Sequence, residues 1–171
     1  GPERILLNNK ILSTVEVSSN YVLLNLLFKS PEYILFTYLI FIYLFLFNKE
    51  FRLEKYTNFY SKIFLILFTL TLPSIFILFS SYKLYDGLRL FIYIIPFYCI
   101  IPALVIYFLI KNVKYFFNKI SLLVIFFLFL FYVYNFIKIT PYQYTYFNFL
   151  AGKKENLIHN FEFVYWGISV K

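Results

Sequence analysis

Four apolar segments dominate the hydrophobic pattern of this chain, and charged residues gather in the short gaps between them. The segments cover approximately residues 33–47, 63–79, 90–110 and 120–137. An α-helix needs about 20 apolar residues to cross a hydrocarbon core about 30 Å thick. The third and fourth segments meet that length, and the first two reach it only if flanking lysines extend to the interface. The pattern predicts an all-α integral membrane protein with about four transmembrane helices.

A shorter amphipathic segment precedes the first span. Residues 13–16 read Ser-Thr-Val-Glu, which is the spacing of a capping box at the start of a helix. Val17, Tyr21 and Phe28 then fall on one helical face, and Pro31 can begin the next helix. Beside a membrane span, this pattern favours a helix that lies in the membrane interface over a soluble amphipathic helix.

The chain after residue 140 mixes polar and aromatic residues and contains no further apolar segment. Residues 148–152 predict a helix end or a turn, and residues 161–165 predict a short strand. The absence of methionine fits an internal piece of a longer protein, or one trimmed at both ends. We therefore expect three parts, listed in chain order: an external segment with an interfacial helix at 1–32, a transmembrane region of four helices at 33–139, and a truncated external domain at 140–171.

Three prolines interrupt the second and third apolar segments: Pro73, Pro96 and Pro102. Each removes a backbone donor and is expected to bend its helix. Membrane helices tolerate proline where a neighbouring helix or a Ser or Thr side chain satisfies the freed carbonyl. The single cysteine, Cys99, lies among apolar residues, where packing is a better expectation than nucleophilic chemistry.

Composition supports the membrane assignment and argues against nucleic-acid binding and against a metal site. Hydrophobic residues make up 62% of the 171 residues, and the mean hydropathy is +0.76, which leaves too little polar surface for a water-soluble domain. The net charge of +8 is dispersed along the membrane edges, so it does not indicate nucleic-acid binding. His159 has no ligand-like neighbour in the sequence, so we expect no metal site, and no cofactor motif is evident.

The distribution of charge predicts an orientation. The gaps at 48–62 and 111–119 together carry seven cations against two acids, whereas the gap at 80–89 holds Lys83 and Arg89 against Asp86. Because short cytoplasmic loops carry the excess of Lys and Arg, the first two of these gaps are expected in the cytoplasm. Both chain ends and the Asp86 loop are then expected outside the membrane.

Two outward clusters are candidates for chemistry. In the first, Asp86 lies three residues before Arg89, and Gly87 allows a tight turn between them. Asp86 can simply favour a helix N-terminus, or Arg89 can grip a lipid phosphate at headgroup depth. In the second cluster, the tyrosines of 141–148 can stack on a sugar while Gln143 or Asn148 bonds its hydroxyls, or they can form an aromatic belt.

Four segments together resemble a group of bacterial integral-membrane glycosyltransferases of the GT-C superfamily, which are related to the protein O-mannosyltransferases and the aminoarabinose transferases. Residues 84–91 resemble the group's YDG-x-RH segment, and residues 21–31 resemble the YY…K-T-P segment that precedes a span. Residues 141–152 and 165–169 resemble HPYQY-x-YFN…G and DYWG-x-S. The order and spacing agree over most of the chain.

The resemblance implies the C-terminal half of an inner-membrane enzyme that transfers a sugar, of hexosyltransferase type, from a polyprenyl-phosphate donor on the outer face. The general-base acid would then lie in an N-terminal half, so the catalytic residue is unknown here. Arg89 and Lys83 would bind the donor phosphate. The partners implied are membrane lipids, the lipid-linked sugar and an acceptor of unknown identity. Residues that would support the loops and the site are Tyr85, Asp86, Gly87, Tyr142, Gln143, Asn148, Tyr165 and Trp166.

Three departures from the group's pattern keep other functions open. Leu90, Thr140 and Val164 occupy positions of a His, a His and an Asp. A non-catalytic membrane scaffold is therefore one alternative, and part of a transporter or flippase is another. A transporter that couples to ions predicts charged residues within the spans, and the four apolar segments contain none.

Overall fold

The computed structural model describes residues 4–7, 10–13, 21–53, 59–79, 89–141 and 145–152. Most of these residues are helical. The α-helices are, in chain order, α1 Tyr21–Lys29, α2 Glu32–Phe47, α3 Lys49–Leu53, α4 Phe59–Phe79, α5 Ile95–Lys111 and α6 Phe116–Ile139. Two short 3₁₀ helices cover Arg89–Ile94 and Phe149–Ala151. A hairpin that sequence analysis did not anticipate, β1 Arg4–Leu7 and β2 Lys10–Ser13, pairs Arg4 with Ser13 and Leu7 with Lys10.

Three helical stretches of the described chain are long and apolar enough to cross a membrane: Phe59–Ile77, Phe91–Lys111 and Phe116–Ile139. They correspond to the second, third and fourth predicted spans. The first predicted span corresponds to α2, whose 16 residues rise only about 24 Å. It reaches a sufficient length only together with α1, across the break before Pro31. The helical class is confirmed, and the number of candidate spans is three, or four with this broken pair.

The third span is a composite rather than one continuous α-helix. It begins with the 3₁₀ helix Arg89–Ile94, in which Phe91 has non-helical dihedral angles (φ −119°, ψ 22°), and continues as α5. Pro96 therefore lies in the first turn of α5, where a helix does not need the amide hydrogen that proline lacks. The expectation that Pro96 bends a helix from inside is corrected, whereas Pro73 and Pro102 do lie inside α4 and α5.

The chain forms two compact units. The first comprises the described residues of Gly1–Ser30, Thr71–Ile92 and Phe136–Lys171. Within it, Tyr21, Val22 and Leu26 form the buried side of α1, and α1 contacts the 3₁₀ helix Phe149–Ala151. Residues 14–20 of the predicted interfacial helix, and the strand predicted at 161–165, lie outside the described residues.

The second unit comprises the described residues of Pro31–Leu70 and Tyr93–Asn135 and is built around the packing of α2 against α5. The buried residues recur at spacings of three and four, which gives each helix one packed stripe. On α2 these residues are Thr37, Ile40, Phe41 and Leu44, and on α5 they are Ile101, Val105, Phe108 and Leu109.

Asn48 ends α2 and begins α3 in the same unit. Its backbone amide donates to the carbonyl oxygen of Leu44 at 2.9 Å, and its side-chain Oδ1 accepts from the amide of Phe51 at 3.0 Å. This is N-cap geometry, which satisfies an amide that the short helix leaves unpaired. Phe51 is thereby directed into the unit, where its ring makes edge contacts with Phe41 and Phe108.

Helix α6 is packed along a narrow stripe and exposed over the rest of its surface. Only 11% of this span is buried, against 33% of the span Phe91–Lys111. The stripe starts with the buried Asn118, Ser121 and Ile125 and continues to Phe129 and Tyr132, whose rings contact Tyr33. The exposed residues of α6 are mainly Phe, Leu, Ile and Val, as expected of a surface covered by lipid chains.

Candidate functional site

The structure describes Asn148 in full and the backbone of Arg89 among the predicted site residues. Arg89 is the first residue of the 3₁₀ helix Arg89–Ile94, and Asn148 lies in the segment that follows α6. The other predicted site residues lie outside the described part of the chain: Lys83, Tyr85, Asp86, Gly87, Tyr142, Gln143, Tyr165 and Trp166. Arg89 and Asn148 both belong to the first compact unit.

Asn148 joins the segment after α6 to the end of α1, across about 120 residues of sequence. Its side-chain Nδ2 donates to the carbonyl oxygens of Leu27 at 2.6 Å and Ser30 at 2.9 Å. Its backbone amide donates to the carbonyl oxygen of Phe28 at 2.9 Å, and its Oδ1 accepts from the amide of Leu150 at 3.0 Å. Asn148 is 2% exposed. We call residues 145–152 the clip loop, because this asparagine fastens them to α1.

The contacts of Asn148 follow from what the end of a helix lacks. The last carbonyls of an α-helix have no donor within the helix. In α1, Leu27 and Phe28 receive donors from Asn148, and the carbonyl of Leu26 receives both the amide and the hydroxyl of Ser30. Asn148 and Ser30 together thus supply donors to three carbonyls at the end of α1, and the loop is held in register with the helix.

The same contacts use both donor hydrogens of the Asn148 side chain. An asparagine amide has two hydrogens, and both are donated to main-chain carbonyls within the protein. Asn148 therefore has no hydrogen to offer a sugar hydroxyl. Its place in the structure is that of a residue that supports the loop.

Lys29, which was not among the predicted site residues, lies in this cluster. It is the last residue of α1, and its Nζ lies 5.3 Å from the centroid of the Phe147 ring. At that distance an ammonium is attracted to the face of an aromatic ring. In the sequence, the segments around Lys29 and Asn148 each resemble part of the glycosyltransferase pattern. Nothing in either segment indicates that the two are in contact.

A neighbouring helix compensates for Pro102, as the sequence led us to expect. Pro102 has no amide hydrogen, so the carbonyl four residues before it, that of Tyr98, loses its helical donor. The hydroxyl of Tyr38 on α2 donates to that carbonyl oxygen at 2.8 Å, and the two tyrosine rings stack at 4.9 Å. Cys99, next to Tyr98, is exposed, so the expectation that it packs is wrong.

Glu32 is a buried acid that sequence analysis did not single out. It is the first residue of α2 and is 5% exposed. Tyr33, the next residue, contacts the ring of Tyr132 on α6. An acid in the first turn of a helix is favoured by the helix dipole, which gives Glu32 a structural role at this end of the second unit.

Thr140 is one of the three positions at which the sequence departs from the glycosyltransferase pattern. Its hydroxyl donates to the carbonyl oxygen of Phe136 at 3.0 Å, within the last turn of α6. The side chain therefore turns back onto its own helix. The side chain of Leu90 and all of Val164 lie outside the described part of the chain.

A comparison of the sequence and the structure with protein families, curated proteins and solved structures finds no match. The resemblance to GT-C glycosyltransferases therefore stays a prediction from the four sequence segments.

Proposed function

We propose that this chain is part of a membrane glycosyltransferase that takes a sugar from a polyprenyl-phosphate donor on the outer face of a bacterial inner membrane. The apolar helices supply the membrane setting that a lipid-linked donor requires. The proposal assigns the chain to the C-terminal half of the enzyme, with the catalytic acid in an N-terminal half.

One observation supports the proposal above the others: two of the four resembling segments are in contact. The segment at 21–31 ends at Lys29, Ser30 and Pro31, and the segment at 141–152 contains Phe147 and Asn148. Asn148 bonds directly to the carbonyl of Ser30, although 118 residues separate them. Segments that resemble one family's pattern separately are more convincing when the fold also brings them together.

In this proposal Arg89 and Lys83 bind the donor phosphate. A guanidinium can hold two phosphate oxygens at once, and an ammonium adds a point charge. Arg89 is the first residue of the 3₁₀ helix that leads into the third span, and the proposal puts its guanidinium at the depth of the lipid headgroups. The clip loop and the tyrosines near it would shape the wall around the sugar.

Glu32 supports one alternative from another class, part of a lipid-sugar flippase or transporter. Buried acids within membrane spans often mark translocation paths, and Glu32 is a buried acid at the first residue of α2. This alternative predicts that the unmodified protein transfers no sugar but moves lipid-linked sugar across the membrane. It also predicts that Glu32→Gln stops this movement. The glycosyltransferase predicts sugar transfer that depends on Arg89.

The test measures transfer of radiolabelled hexose from a polyprenyl-phosphate donor in membranes that contain the complete protein. Arg89→Ala should lower transfer by at least about tenfold, because a charged hydrogen bond to the donor is lost, with expression unchanged. Lys138→Ala is the matched control, since Lys138 is an exposed cation in the last turn of α6. Equal loss of transfer and expression in Arg89→Ala would make this arginine structural, and no transfer by the unmodified protein would end the proposal.

A further inference from the structure

Two adjacent residues of the clip loop hold Lys29 by its backbone and by its side chain. Asn148 bonds to the carbonyls on both sides of Lys29, those of Phe28 and Ser30. Phe147 places its ring 5.3 Å from the ammonium. Long lysine side chains normally keep much of their rotamer freedom, and fixing one costs conformational entropy. The Lys29 side chain is therefore restricted in conformation before any ligand binds to its ammonium.

Capping of α1 does not explain this arrangement. A lysine in the last turn of a helix usually stabilises the carbonyls that lack donors there. In α1, the carbonyls of Leu26, Leu27 and Phe28 already accept hydrogen bonds from Ser30 and Asn148. These three carbonyls therefore have donors other than the ammonium.

We infer that Lys29 binds the phosphate of the lipid-linked donor, an inference that rests on the proposed function. Lys29 stands three residues before Glu32, where α2 begins, and the inference places its ammonium at the membrane rim, within reach of a lipid phosphate. The Phe147 ring shields one side of the ammonium from water, and a charge interaction gains strength where water is excluded. Because the side chain is already ordered, a phosphate that binds there pays less entropy. Lys29 belongs to the same compact unit as Arg89.

The test measures binding of farnesyl phosphate and of farnesol to the complete protein in phosphatidylcholine nanodiscs. Lys29→Met removes the charge and keeps the length of the side chain. It should weaken farnesyl phosphate binding at least about tenfold, the usual scale for one charged contact, and leave farnesol binding unchanged. Lys29→Arg should retain most of the affinity. Phe147→Leu should give an intermediate loss, because it keeps apolar bulk without the ring face.

Lys138→Met is the matched control, since it removes an exposed cation from the end of another span, and it should leave binding unchanged. The inference is overturned if Lys29→Met binds farnesyl phosphate within about twofold of the unmodified protein, well below the scale of one charged contact. It is also overturned if Lys29→Met weakens farnesol equally. A third arm adds phosphatidylglycerol at the same mole fraction as farnesyl phosphate. Displacement by phosphatidylglycerol would mean that the site takes any lipid phosphate, contrary to the inference.

The experiments distinguish failure of the Lys29 inference from failure of the proposed function. If Arg89→Ala stops sugar transfer while Lys29→Met binds normally, this inference falls and the glycosyltransferase stands. If the unmodified protein transfers no sugar, the proposed function falls whatever Lys29 binds.

Discussion

The hydroxyl of Tyr38 donates a 2.8 Å hydrogen bond to the main-chain oxygen of Tyr98, the residue four positions before Pro102. The proline removes that oxygen's helical donor, and a tyrosine of the adjacent helix replaces it. The stacked rings of the two tyrosines lie beside this bond, 4.9 Å apart. The pairing of α2 with α5 therefore includes a polar contact that only this register of the two helices can make.

Replacing Tyr38 with phenylalanine should lower stability through this carbonyl. Tyr38→Phe removes the 2.8 Å hydrogen bond to the carbonyl oxygen of Tyr98, and the loss of one such bond costs about 0.5 to 1.5 kcal/mol. Pro102→Ala restores an amide at position 102, so Tyr38→Phe should cost much less in that background. Unfolding free energies in detergent for the two single variants and the double variant give the coupling directly. Tyr43→Phe, on an exposed part of α2, serves as the control. An identical cost of Tyr38→Phe in both backgrounds would contradict the account.

Asn148→Ala should detach the clip loop from α1. The substitution removes the bonds to Leu27 and Ser30 and the one accepted from Leu150. At a net value of about 1 kcal/mol for each bond, the loss of unfolding free energy should be about 2 to 3 kcal/mol. Limited proteolysis of the clip loop should become faster as well. Leu150→Ala, at a half-exposed position of the same loop, should change neither measurement. Unaltered stability and proteolysis in Asn148→Ala would show that the loop is held by other contacts.

Ser74→Ala should keep or raise stability. The Ser74 hydroxyl is buried beside Pro73, and the structure gives its oxygen no hydrogen-bond partner. Removing a buried hydroxyl that has no partner relieves a desolvation cost, so the gain should be up to about 1 kcal/mol. Thr69→Ala is a useful comparison, because the Thr69 hydroxyl does bond to the carbonyl of Leu65. A loss of more than about 1 kcal/mol in Ser74→Ala would mean that the hydroxyl has a partner in the membrane.

The sequence predicts the long helices of this protein well because each of them coincides with a local apolar run, whereas the short α3 lies in a charged gap and was not predicted. The run at 120–137 lies inside α6, and the run at 63–79 lies inside α4. The ends are less well predicted, since amphipathic residues such as Tyr115 and Phe116 suit either a loop or a helix start. Local hydropathy also does not separate a 3₁₀ turn from an α-helix, so the two-part structure of the third span was not predicted.

The contacts between segments were harder to predict, for a physical reason. The position of Pro102 indicates that the carbonyl of Tyr98 loses its helical donor. A polar side chain on any neighbouring helix could replace that donor. Tyr38 is the donor because α2 packs on α5 in this register, and the local sequence does not determine that packing. Asn148 and Ser30 likewise meet because of the fold. The resemblance placed both in meaningful segments without indicating that they touch.

Labelling of single cysteines tests the central claim, that helices in a bilayer separate an outward clip loop from an inward α5–α6 connection. The background variant is Cys99→Ser, and the two probes are Phe149→Cys and Lys114→Cys, both at exposed positions. A membrane-impermeant maleimide is applied to intact spheroplasts and to permeabilised ones. The account predicts that position 149 reacts in both and position 114 only after permeabilisation. Reaction of position 114 in intact spheroplasts, or protection of position 149 there, would contradict it.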